Sequence, residues 1–152
     1  EIGKIVELYA DMLFRLSLLM LGNFADAEDA VQETMLKYLQ KSPDFKSEEH
    51  RKAWLITVTR NKCRDKLRLN KNHPTIDIDE LKNVTYESIS EGVFELLVLL
   101  PEKIKTVMIL YYVEGFTVSE IAKITGSTES AVKMRLQKGR RLLAEKYRKE
   151  LT

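Results

Sequence analysis

The stretch TVSEIAKITGSTESAVKMRLQKGRRLL, residues 117–143, decides the reading of the C-terminal half. Thr117 and Glu120 have the spacing of a capping box, in which each side chain satisfies a backbone N–H of the other at a helix start. A short helix is therefore expected over residues 118–125. Gly126 stops it, because glycine adopts the left-handed conformation of a helix end without strain. Ser127 or Thr128 then caps a second helix, from Glu129 to about Lys149. Ile121 and Ile124 of the first helix fall where they can pack on Val132, Leu136 and Leu143 of the second. Two helices joined by a glycine turn, the second one basic, make a helix-turn-helix pattern. The packing leaves Ser130, Lys133, Met134, Gln137 and Lys138 on the outer face, with Arg141 beside them. Lys and Gln suit the purine edges of a major groove. Arg135, Arg140 and Arg141 suit phosphates, which fix register without reading sequence. The plainer alternative is a helical hairpin with a solvated basic face.

Upstream of this stretch, Pro101 suits the first position of a helix that runs to Glu114-Gly115. Before it, Ile89, Val93, Phe94, Leu97, Val98 and Leu100 mark the start of the second helical set. Residues 70–90 show no sustained period, and Pro74 excludes a continuing helix there. They read as a linker. In the N-terminal half, Ile5, Leu8, Met12, Leu16 and Leu19 form one stripe of a helix over residues 2–21, ended by Gly22-Asn23. Asp26 is the expected N-cap of a second helix reaching Gln40, with Ala27, Ala30, Val31, Thr34 and Tyr38 on one face. Ser42-Pro43-Asp44 breaks the pattern. Ser47 caps a third helix, residues 48–70, carrying Trp54, Leu55, Val58 and Leu67. No stretch alternates as a strand. The expected architecture is all-α: two small helical domains, residues 1–70 and 90–152, joined by a linker over 71–89.

Net charge is only +2, but its distribution is uneven. Residues 51–71 carry eight Lys or Arg against Asp65 alone, and residues 131–152 carry eight against Glu145 and Glu150. Residues 75–91 carry five acids against Lys82. Two basic segments flanking an acidic one suggest two phosphate-binding surfaces. Cys63 is the only cysteine, so no internal disulfide can form. The longest apolar run, residues 12–21, is interrupted by Arg15 and Ser17 and is too short to span a bilayer. No signal peptide is legible, and a cytoplasmic protein without membrane insertion is expected. His50 and His73 have no ligand partners at metal spacing, so no metal and no cofactor are expected. With no glycine-rich phosphate loop and no nucleophile beside a recognisable base, an enzyme is not expected either.

Both halves together carry a resemblance. The N-terminal half holds LGNFADAEDAVQET, residues 21–34, then Ala53-Trp-Leu and Arg60-Asn61. The C-terminal half holds Leu100-Pro-Glu-Lys103, YVEGFT at 112–117, Glu120-Ile-Ala122 and AVKMRL at 131–136. Their order resembles the extracytoplasmic-function class of RNA polymerase sigma factors, over residues 5–147. The resemblance implies a non-catalytic initiation factor whose partners are core RNA polymerase and promoter DNA, with an anti-sigma protein as a further possible partner. It implies that residues 26–40 dock on the largest polymerase subunit, and Asp29, Gln32 and Glu33 are the residues chosen for that contact. The plainer role of Glu33 is an ion pair with Lys37, worth about 0.2–0.5 kcal/mol. The loop at 41–49 and the helix after it match the reader of the −10 element, where a base of the melted strand leaves the stack for a pocket. Asn61 matches the family's asparagine there, with Arg60, Lys62 and Arg64 holding the backbone. Trp54 and Cys63 read as core. The basic helix at 129–149 is implied to read the −35 element. One departure stands out: Gly139 replaces the usual alanine, at about 1 kcal/mol of helix propensity. That favours close approach of a neighbouring helix or of DNA. The competing reading is a helix-turn-helix regulator without sigma activity, which leaves the acidic helix at 26–40 unexplained.

Overall fold

In the computed structural model the chain divides into two compact units, Glu1–Asp77 and Ile78–Thr152. The structure describes residues 1–41, 43–69 and 97–151. The expected linker and the helix start near Ile89 lie outside the described residues. Among the described residues the regular structure is all helical.

The first unit is a mutually packed trio: α1 (Ile2–Leu21), α2 (Phe24–Lys41) and α3 (Glu48–Leu69). The second half of α1 is buried on every side, with Leu13, Leu16, Leu18 and Leu19 at 0–1% exposure. A helix apolar all round must sit inside the core. Ala27 and Ala30 of α2 are fully buried, and their size lets the helices approach closely. Leu55, Ile56, Val58 and Cys63 of α3 complete the core. Hydroxyls inside it are paired: Thr34 donates to the Ala30 carbonyl at 2.8 Å and meets Thr59 Oγ1 at 2.9 Å, across α2 and α3. Such pairing is what permits a buried hydroxyl.

Two expectations are corrected here. Leu8 is 58% exposed, while Ile5 and Met12 are buried. Leu8 lies roughly 60° round the helix from Ile5, at the rim of the stripe. The cap of α2 is Asn23, whose Oδ1 accepts the Asp26 N–H at 3.0 Å. Gly22 already ends α1 in the left-handed conformation (φ 64°), its N–H bonded to the Leu18 carbonyl. The first capping side chain after that stop takes the position, and Asp26 falls in the first turn. Ser47 caps α3 as expected, accepting from the His50 N–H at 3.1 Å.

In the second unit α4 (Glu102–Met108) runs into a π-helical turn, Ile109–Val113, followed by α5 (Val118–Thr125) and α6 (Glu129–Leu151). Pro101 is the N-cap of α4 rather than its first residue. The capping box is complete: Thr117 Oγ1 accepts the Glu120 N–H at 3.1 Å, and Glu120 Oε1 accepts the Thr117 N–H at 2.9 Å. Gly126 ends α5 at φ 67°. Thr128 caps α6, accepting from the Ala131 N–H at 3.0 Å, while Ser127 bonds to Thr125 at 2.6 Å. Gly139 marks where α6 meets α4. A Cβ there would lie 2.6 Å from Met108 Sδ and 3.1 Å from Ile104 Cγ2. Of the two reasons for a glycine at this position, the neighbouring helix is the one in place.

Candidate nucleic-acid interface

On α6 the apolar and polar faces separate as the spacing predicts. Ile121, Ile124, Val132 and Leu136 are buried between α5 and α6, and Leu143 is half-buried. Ser130, Lys133, Met134, Gln137 and Lys138 are exposed, with Met134 at 69%. Arg140 and Arg141 are also exposed. Arg135 is half-buried and shares a groove of about 430 Å³ with Met134, Lys138, Glu102 and Lys103. Lys103 is exposed, and sequence reasoning missed it because the turn that brings α4 beside α6 is a tertiary feature. Sequence also missed the partner of Arg140: its Nε donates to the Tyr112 hydroxyl at 2.5 Å. Lys105, behind the α4 start, donates to the Val98 carbonyl at 3.3 Å, and burial pushes its ammonium pKa down.

In the first unit Asn61 is exposed on α3, with Lys62 and Arg64 half-buried. Arg60 departs from expectation. It is 8% exposed and does not stand beside Asn61 as a backbone clamp. Four residues after Ile56 and three before Cys63, it shares their buried face. The loop before α3 is anchored by aromatic packing. The Phe45 ring stacks 6.1 Å from Tyr38, meets Trp54 edge-on at 5.8 Å and His50 at 5.3 Å, and lies under the Arg51 guanidinium at 5.3 Å. Trp54 thus packs half-buried under the loop. Glu48 pairs with Arg51 and accepts from the Tyr9 hydroxyl at 2.6 Å. Burial and then that hydrogen bond raise the Tyr9 pKa to about 12. The bond lowers that of Glu48.

Asp29 and Gln32 are exposed on α2, and Glu33 is half-buried. The ion-pair partner of both acids is Lys66 of α3, at 3.4 Å from Glu33 Oε1 and in direct contact with Asp29 Oδ2. The expected pairing of Glu33 with Lys37 gives way to this cross-helix clamp. The Lys66 hydrogen bond and charge lower the Asp29 pKa. Burial opposes charge on Lys66, but hydrogen bonding to Asp29 and the charge of Glu33 raise its pKa overall. Leu36 and Leu39 stand 55% and 52% exposed on α2, large apolar side chains left uncovered by the unit's own core. Among the described residues no three His, Cys, Asp or Glu come together as metal ligands. Among them, no helix is long and apolar enough to cross a membrane.

Comparison with known proteins gives these two units an identity. The family pattern for Sigma-70 region 2 matches residues 5–73, and that for Sigma-70, region 4 matches residues 90–143. The RNA polymerase sigma factor SigV of Bacillus subtilis is 32% identical over 146 residues, covering 90% of this chain and 85% of that protein.

The chain belongs to the extracytoplasmic-function class of RNA polymerase sigma factors.

The ECF sigma factor SigW of Bacillus subtilis is 26% identical over 165 residues, covering 96% of this chain and 88% of its own. The same fold is seen in a sigma factor RpoE solved with the anti-sigma factor NepR from Bartonella quintana (TM-score 0.72, 24% identity, 94% of each chain). It is seen again in CnrH solved with the cytosolic domain of CnrY (TM-score 0.73, 23% identity, 95% of this chain and 85% of that one). As a sigma factor the protein binds core RNA polymerase and directs transcription initiation at promoter DNA. A regulator acting without polymerase accounts for the region 4 match but not for the region 2 match.

Proposed function

We propose that the sigma factor divides promoter recognition between its two units. Residues 1–70 form the polymerase- and −10-binding domain, 71–89 the linker, and 90–152 the −35-binding domain. On α6, Ser130, Lys133, Met134, Gln137 and Lys138 read base edges, and Arg135, Arg140 and Arg141 hold phosphates. On α3, Asn61, with the loop at 41–49, selects a base of the melted −10 strand, and Lys62 and Arg64 hold its backbone. Asp29, Gln32 and Glu33 of α2 engage core polymerase. The observation that carries this reading is the exposed set Lys133, Gln137 and Lys138 on a helix whose opposite face is buried against α5. A major groove receives that arrangement, and each good base contact discriminates by about 1–3 kcal/mol.

The protein acts in the cytoplasm and catalyses no reaction itself. An anti-sigma protein is a further partner on this reading, in line with the structural neighbour solved in complex with the anti-sigma factor NepR. The test is run-off transcription by core polymerase supplied with this chain on a library of promoters. Enrichment of a paired upstream and downstream element supports the reading. Transcription without any upstream preference overturns the role given to α6.

A further inference from the structure

The helix that α4 begins does not end as an α-helix. Ile109–Val113 form a π-turn, and the Glu114 N–H bonds the Ile109 carbonyl at 3.0 Å, five residues back. A π-turn takes in one extra residue and rotates the side chains around it, and such turns recur at functional sites. Here the rotation falls on two adjacent tyrosines. Tyr111 is half-buried, while Tyr112 is 55% exposed. The Tyr112 hydroxyl accepts the Nε–H of Arg140 at 2.5 Å, and the guanidinium carbon lies 5.7 Å from the ring centroid. Both residues are exposed, so this pair is not core packing.

Chemistry says what such a pair offers. A guanidinium has five N–H donors. Tyr112 takes one, at Nε, and leaves those on the two terminal nitrogens. The tyrosine hydroxyl, having accepted, keeps its own proton to donate. Donors from an ordered guanidinium and a hydroxyl together match the non-bridging oxygens of a phosphodiester. An exposed arginine also loses rotamer freedom on binding, and a partner that already orders it reduces that loss. Arg140 follows Gln137 by three residues and Lys133 by seven, on the same side of α6. It therefore sits further along the helix than the base-reading positions, toward the end that leaves a groove.

We propose that Tyr112 and Arg140 form a composite phosphate-binding site. In it the tyrosine orders the guanidinium and donates its own hydroxyl proton to the same phosphodiester of duplex DNA. The inference rests on α6 being the duplex-binding helix.

The test uses the full chain and a short duplex of arbitrary sequence, with affinity measured across a salt series. Arg140→Ala weakens binding and flattens the slope of log affinity against log salt by about one, because one fewer phosphate is neutralised. Tyr112→Phe keeps the ring and every charge. It leaves the slope and the melting temperature unchanged and weakens binding about threefold to tenfold. In the Arg140→Ala background the same change costs less than about twofold. An unchanged slope for Arg140→Ala overturns the site, because Arg140 then neutralises no phosphate, whatever Lys133→Ala, Lys138→Ala or Arg141→Ala does to duplex affinity. A flattened slope with full affinity in Tyr112→Phe overturns the composite site alone. So does a Tyr112→Phe loss of equal size in both backgrounds, or one accompanied by a lower melting temperature, since a merely structural tyrosine behaves that way.

Discussion

Helices α3 and α6 lie in segments of nearly equal charge, yet the structure uses that charge differently. On α3, Lys66 is clamped between Asp29 and Glu33, Arg51 pairs with Glu48, and Arg60 is 8% exposed. On α6, Lys133, Lys138, Arg140 and Arg141 are exposed, and the buried positions are few: Val132, Leu136 and Gly139. The helix packed against two others in a three-helix core spends basic residues on internal pairs. The helix covered on one face displays them. Net charge along a segment is therefore a poor measure of its electrostatic footprint, and the footprint of α3 is narrower than its composition suggests.

The contrast can be broken first at the seam of the second unit. Leu136 is 2% exposed, and Leu136→Ala should cost about 2–5 kcal/mol of stability and remove duplex binding with it. Gly139→Val forces a branched side chain against Met108 and Ile104 and should cost about 1–3 kcal/mol. Thermal and urea melts followed by circular dichroism measure both. A wild-type melt for Leu136→Ala contradicts the packing of α5 on α6.

A smaller effect separates pairing from display on α2 and α3. Reversing Asp29 and Glu33 together to Lys should lower affinity for core polymerase by about tenfold. Lys66→Met leaves both acids in place without their internal partner. It should keep core affinity at least at the wild-type level while costing about 0.5–1 kcal/mol of stability. A titration against core enzyme decides. If Lys66→Met loses as much affinity as the reversal, the acids serve only the fold.

The smallest effect is a pH dependence. The Asp29 pKa lies below its ordinary 3.8, so its contribution is present above that value and is lost as pH falls through the lowered one. The Lys66 pKa lies above 10.5, so its contribution is present below that value and is lost as pH rises through the raised one. Asp29 is half exposed, and solvent screening holds the effect to about half a kcal/mol. As pH falls from about 4 through the lowered Asp29 pKa, the wild type should lose slightly more melting temperature than Lys66→Met. Equal losses would mean that the Lys66 clamp contributes nothing to stability.

Local rules made much of the molecule legible. The Thr117–Glu120 box, the Gly22 and Gly126 stops and the two-faced α6 are set by residues within a turn or two of one another. What failed depended on distant chain. Leu8 belongs to an apolar stripe, but the stripe does not say how wide its cover is. The resemblance gives Arg60 a backbone contact, and only the packing of Ile56 and Cys63 reveals its buried face. Lys66 is 33 residues from Glu33 and 37 from Asp29, beyond any helical spacing. The π-turn has no periodic signature. Gly139 was legible as an anomaly and became interpretable once Met108 was seen against it.

The proposed division of labour has α3 and α6 read different promoter elements with different side chains. It is tested most directly by selecting promoters from a library randomised in both elements, using holoenzyme assembled with the wild type, Asn61→Ala or Lys138→Ala. Lys138→Ala should flatten base preference in the upstream element alone, and Asn61→Ala at one position of the downstream element alone. Preferences that flatten together in either variant, or that remain those of the wild type in both, contradict it.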